Sequence, residues 1–140
     1  MKARLQSAAV EALKAHGQSG YPHESCGVLL GRLSGASLEV LEAHACANAN
    51  ADRAADRYLI EPQDQLRIEK DARARGLDVV GYYHSHPDHP SQASATDLAQ
   101  SWEGVLYLIL AVEKGQARRL QGWWRSSGEP AFTEVSIETV

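Results

Sequence analysis

The chain is 140 residues long, enough for one domain that buries a core without disulfide or metal staples. Its hydrophobic content of 44% and charged content of 23% are ordinary for a globular protein. The formal net charge of −4 argues against a nucleic-acid binder that works by neutralising phosphates. Two dispersed cysteines, Cys26 and Cys46, form neither a metal-binding pair nor a disulfide framework, and a reducing cytoplasm is the simplest home for them.

Leu5, Ala8, Ala9, Val10 and Leu13 recur at helical spacing, which predicts an amphipathic helix from about Ala3 to Ala15, ended by Gly17. The apolar positions are interrupted, so neither a secretory signal nor a membrane span is expected there. An apolar run then predicts a buried strand over Cys26 to Arg32, and Ser34-Gly35-Ala36 turns the chain into a second strand, Leu38 to His44. The segment Ala45 to Asp56, rich in Ala, Asn and Asp, lacks periodicity and reads as a loop that either borders an active site or only connects. Tyr58-Leu59-Ile60 reads as a short strand, and Pro62 opens a helix through Leu66 and Ile68 that stops at Gly76. Leu77 to Tyr83 reads as a buried strand that carries His84 and His86 at its end, before Pro87, Pro90 and Ser91 break the pairing. Ser94 followed by Asp97 matches a helix start, with the helix running to about Trp102. Strands over Val105 to Val112, Ala117 to Trp124 and Phe132 to Ile137 complete an α/β domain, a mixed and largely antiparallel sheet flanked by helices.

The informative stretch is Tyr82-Tyr83-His84-Ser85-His86-Pro87. Alternate residues of a strand share a face, so His84 and His86 can present two imidazoles to one ion while Ser85 points away. Asp97 returns a carboxylate in the first turn of the following helix. Two histidines and one carboxylate leave a fourth tetrahedral position open on zinc, which is a catalytic rather than a structural pattern. An isolated His-x-His pair would more often be a chance feature of a strand. Such a centre also needs a proton acceptor that is not a ligand, and Glu24, at the mouth of the apolar run Cys26 to Gly31, is the candidate.

An upstream Glu24, then His84-x-His86-Pro87, then Ser94-x-x-Asp97 after seven intervening residues resembles the signature of the JAMM (MPN-plus) zinc metallopeptidases. Pro22-His23-Glu24-x-Cys26-Gly27-x-Leu29-Leu30-Gly31, Arg57-Tyr58 and Ser94 to Ala99 look like the compact bacterial members that act on ubiquitin-like sulfur-carrier proteins, so the resemblance covers nearly the whole chain, 1–140, as one domain. Those members often carry proline just before the motif serine, and Ala93 stands there instead. The resemblance implies the JAMM/MPN, cytidine-deaminase-like fold and one zinc per chain held by His84, His86 and Asp97. It further implies that Glu24 holds water and shuttles its proton, and that Ser94 donates to the oxyanion. The implied substrate is the Gly-Gly tail of a ubiquitin-like carrier, cut at a peptide or isopeptide bond to free cysteine or a short extension. The tail is expected to add as a strand to an exposed sheet edge beside His84.

A non-catalytic scaffold of the same fold and a zinc hydrolase of a small-molecule amide are the competing classes. A deaminase would need a cysteine pair near the ligands, which this chain lacks. His16, His23, His44 and His89 fall outside ligand spacing and are expected at the surface or in hydrogen bonds; His89 lies nearest the metal loop. Arg118-Arg119 reads as a solvated strand face, Cys26 as a small buried hydrophobe, and Trp102, Trp123 and Trp124 as core and sheet packing.

Overall fold

The computed structural model describes residues 1–140 as β1 (Lys2–Leu5), α1 (Ser7–Gly20), β2 (Cys26–Ser34), β3 (Ser37–Cys46), α2 (Pro62–Ala74), β4 (Asp78–Pro87), α3 (Ala95–Ala99), β5 (Leu106–Glu113), β6 (Gln116–Trp124) and β7 (Thr133–Thr139). The strands close into a barrel in the order β1-β3-β2-β4-β5-β6-β7 because β1 runs parallel to β3 on one side and to β7 on the other. β4 and β5 are also parallel, and the remaining neighbours are antiparallel, so the sheet is mixed as the sequence predicts.

Strand alternation divides the apolar side chains between two faces. Leu29 of β2, Tyr83 of β4 and Leu108 and Leu110 of β5 pack with Ala9, Val10 and Leu13 of α1. Val28 and Leu30, one residue out of phase with Leu29, meet Ile68 and Ala72 of α2 on the opposite face. Tyr82, Tyr107, Ile109 and Trp123 form a third cluster on that same side, beneath Ala93. The sheet is therefore covered on both sides, and the long apolar runs of β2 and β5 follow from that.

Several boundaries differ from the sequence reading. Lys2–Leu5 is a strand, with Ala3 and Leu5 buried and Lys2 and Arg4 exposed, and the helix begins only after extended Gln6. Leu5 also falls at helical spacing from Ala8 and Ala9, which is why the pattern absorbed it. Gly17 does not end α1, which continues to Gly20: a Cβ there would lie 2.8 Å from Leu110 Cδ2, so glycine lets the helix approach the sheet. Tyr58 to Ile60 forms one isolated bridge, Asn48 to Ile60, because the Asn48 side chain takes the Leu59 N–H that a ladder would use. α3 stops at Ala99, where the Ser101 hydroxyl donates to the Leu98 carbonyl at 2.7 Å and Arg125 takes the Ser101 carbonyl at 2.9 Å, drawing the chain toward β5. Trp102, just beyond, is 70% exposed and is not part of the core, whereas Trp123 is buried with its indole N–H on the Ser91 carbonyl.

The end of α2 and the loops behave as read. Glu61 caps the helix by accepting from Gln63 N and Asp64 N, Pro62 opens it, and Gly76, at φ +71°, follows its end. No helix is long and apolar enough to cross a membrane.

Candidate metal centre

β4 brings His84 and His86 to the face shared with Tyr82, while Ser85 points the other way and accepts a hydrogen bond from Ser25 N at 2.8 Å. β4 is paired on both sides, with β2 through Cys26 and His84 and with β5 through Pro87, so there is no free sheet edge beside His84 for a substrate strand. That part of the sequence reading is corrected by the place of β4 between two partner strands.

The loop after Pro87 returns α3 to the same face. Ser94 and Asp97 form a reciprocal capping box: the Asp97 N–H donates to Ser94 Oγ at 3.0 Å, and the Ser94 N–H donates to Asp97 Oδ2 at 2.8 Å. The cap aims the carboxylate at the imidazoles, with Oδ1 at 3.1 Å from His84 Nε2 and Oδ2 at 3.1 Å from His86 Nε2. The two Nε2 atoms are 3.2 Å apart. Ligands at about 2.0–2.1 Å from a tetrahedral zinc stand roughly 3.3 Å from one another, so this donor set fits that ion. His86 Nδ1 lies 2.7 Å from the Pro90 carbonyl, which can only accept, so Nδ1 carries the proton and Nε2 offers its lone pair. His84, His86 and Asp97 form the chain's metal-capable cluster, and neither cysteine joins it.

Electrostatics agree with a cation site. Burial raises the Asp97 carboxyl, but the two imidazoles at 3.1 Å and the Ser94 N–H overcome this and hold it well below the carboxylate range. Burial pulls His84 below the ordinary imidazole value despite Asp97. Burial acts downward on His86 too, yet Asp97 and the Pro90 carbonyl leave it raised.

The donors open onto a cavity of about 460 Å³, lined among others by Glu24, Asp56, Arg57, Tyr58, His89 and Ser94. Glu24 is 7% exposed, and its carboxyl is pushed up to about 8, chiefly by burial. Its N–H donates to the Ala54 carbonyl and its own carbonyl accepts from Asn48 Nδ2, so the loop read from Ala45 to Asp56 does border the site and fixes Glu24. His89 lines the cavity; His16 instead meets the Tyr83 hydroxyl, His44 pairs with Glu42, and His23 is exposed. Tyr58, which stacks on His84, entered the sequence reading only as the start of a short strand and in the Arg57-Tyr58 resemblance, with no role at the metal. The Pro90 carbonyl gave no sequence signal beyond being in the right loop.

Three convergent donors with an open side and a buried carboxyl facing the same cavity are the arrangement expected of a metal-dependent hydrolase. Residues 6–126 match the family described as prokaryotic homologs of the JAB domain. The chain is 36% identical to Desampylase of Haloferax volcanii over 111 residues, 75% of this chain and 77% of that protein. It is 29% identical to COP9 signalosome complex subunit 5 of Candida albicans over 70% of this chain, which is 17% of that much longer protein. A protein of Desulfitobacterium hafniense solved in solution superposes with a TM-score of 0.84 at 26% identity, covering 99% of this chain and 92% of the other. The chain therefore belongs to the prokaryotic JAB-domain family, and it is a JAMM-type hydrolase.

Proposed function

We propose that residues 1–140 act as one zinc-dependent metallopeptidase or isopeptidase domain that hydrolyses the bond after the C-terminal Gly-Gly of a ubiquitin-like sulfur-carrier protein, releasing cysteine or a short extension. The observation that carries this reading is the convergence of His84 Nε2, His86 Nε2 and the Asp97 carboxylate beside buried Glu24. Similarity to Desampylase supports a ubiquitin-like substrate over a small-molecule amide. An intact donor set weighs against a non-catalytic scaffold. Two buried free thiols, Cys26 and Cys46, agree with a reducing cytoplasm.

His84, His86 and Asp97 would hold the zinc, which would supply Lewis-acid polarisation of the scissile carbonyl and a water made acidic near neutral pH. Glu24 takes the proton of the attacking water and delivers it to the leaving amine. In the metal-free chain burial raises its proton affinity, and that direction favours both transfers, since a strongly acidic carboxylate would be a poor base. Ser94 Oγ already accepts from Asp97 N, which leaves its O–H free to donate to the oxyanion.

Ser94→Ala separates that role from capping. The Ser94 N–H to Asp97 bond is made by backbone and survives, so zinc should be retained while kcat falls by about 10²- to 10³-fold. A change confined to melting temperature would reduce Ser94 to a cap, worth about 1 kcal/mol.

With β4 paired on both sides, the tail reaches the metal through the cavity between Tyr58 and Ala93-Ser94, where glycines pass because they lack Cβ. Mass spectrometry of a ubiquitin-like carrier ending in Gly-Gly plus one residue should show loss of that residue, and no release from any such carrier would overturn the substrate class. Changing the last glycine to valine should lower kcat/KM by about tenfold or more, because a displaced carbonyl loses orientation. Equal values for the two tails would rule out the narrow passage while leaving the zinc chemistry standing.

A further inference from the structure

We propose that Tyr58 is the positioning residue that holds His84 for the metal, by ring stacking in place of the hydrogen bond a ligand histidine ordinarily makes. The inference rests on the zinc reading above.

The two imidazoles are held by different means. His86 is fixed through Nδ1, at 2.7 Å from the Pro90 carbonyl, and that single bond sets both its ring plane and its tautomer. His84 has no counterpart: its Nδ1 is buried and unpartnered, on a residue only 1% exposed. Ligand histidines almost always give their second nitrogen to a carboxylate, a carbonyl or water. The rotation of the His84 ring is therefore not limited by a polar partner at Nδ1.

The Tyr58 ring supplies the restraint. Its centroid is 4.4 Å from that of His84 with planes 22° apart, a stacked arrangement. Turning the imidazole out of this plane, which would carry Nε2 away from Asp97 Oδ1, drives its edge into the face of Tyr58. The stack fixes the plane without choosing a tautomer, so His84 stays free to bare Nε2 for a metal.

Tyr58 is in turn braced by one side chain. Asn48 Nδ2 donates to the Arg57 carbonyl at 3.1 Å, and Asn48 Oδ1 accepts from Leu59 N at 3.0 Å, so the backbone is clamped on both sides of Tyr58. The same Nδ2 donates to the Glu24 carbonyl at 3.2 Å. Asn48 thus sets the plate over His84 and the candidate base from a single point, which gives the loop after β3 a task beyond connection.

Zinc dissociation constants measured by competition with a chromophoric chelator, in the absence of substrate, test the proposal. Tyr58→Leu and Tyr58→Met fill the space without a π face and should each bind zinc about 10- to 100-fold more weakly, whereas Tyr58→Phe keeps the ring and should stay within about threefold of the parent chain. Cobalt substituted into the Leu and Met variants should show an altered visible spectrum, and in the Phe variant the parent one. Melting curves of the metal-free variants separate misfolding from weakened binding, and the Leu and Met pair guards against either one failing to fold. Zinc held as tightly by Leu and Met as by Tyr, or lost equally in Phe, would overturn the positioning role. A parent chain that binds no zinc would instead overturn the reading on which it rests.

Discussion

Alanine at His84, His86 or Asp97 is expected to strip the protein of metal and activity together. The chain should purify with about one zinc, and each single replacement leaves two protein donors where catalytic zinc sites keep three. Elemental analysis of the three variants should show occupancy well below that of the parent, and full occupancy in all three would sink the assignment. His84→Ala is the cleanest of them, because Asp97→Ala also removes the acceptor of the Ser94 N–H and so weakens the start of α3. The pH dependence has a definite sign. Zinc binds neutral imidazoles, and His86, whose proton affinity is raised by Asp97 and Pro90 against the opposing effect of burial, stays protonated to higher pH than a free histidine in the metal-free protein. Apparent zinc affinity should therefore weaken as pH falls from neutrality through the imidazole range. Affinity independent of pH across that range would exclude the histidines as ligands.

The centre was legible because its chemistry is written in local geometry. A period of two on β4 places two histidines on one face, and a capping box four residues long places Asp97, so neither needs knowledge of the distant fold. What the sequence hid depends on contacts far along the chain. β1 is only four residues long and exists because β3 and β7 flank it, which no periodicity in residues 2–5 can announce. Barrel closure follows from that same strand, while the free edge that the tail was expected to use is absent because β4 lies between β2 and β5.

Gly17 and Trp102 illustrate the other kind of failure. Glycine after a helical pattern usually marks an end, but here the close approach of α1 to Leu110 requires it inside the helix. A tryptophan usually marks a core, but the turn from α3 into β5, pinned by Arg125, leaves Trp102 at the surface. Tyr58 and Asn48 were invisible as a pair because the stack on His84 and the clamp around Tyr58 connect residues that share no motif.

Glu24→Gln should separate catalysis from stability in opposite directions. The substitution keeps shape and hydrogen-bonding capacity but removes the base, so turnover should fall by at least about 10²-fold while zinc stays bound. Unchanged turnover would exclude Glu24 as the proton carrier. The same residue should cost the metal-free fold stability, and the sign follows from its proton affinity. Burial holds the folded carboxyl near 8, whereas in the unfolded chain it ionises near about 4.3. Stability that is fully present below the unfolded value is then lost as pH rises from there through the folded value, because the unfolded chain releases its proton first. Glutamine has no proton to release and escapes that loss. Metal-free Glu24→Gln should consequently melt above the parent chain at pH 8, with the gap closing as the buffer approaches pH 4. Paired melting curves across that range would show it, and a gap that did not change with pH would mean that ionisation of Glu24 is not what the fold pays to bury.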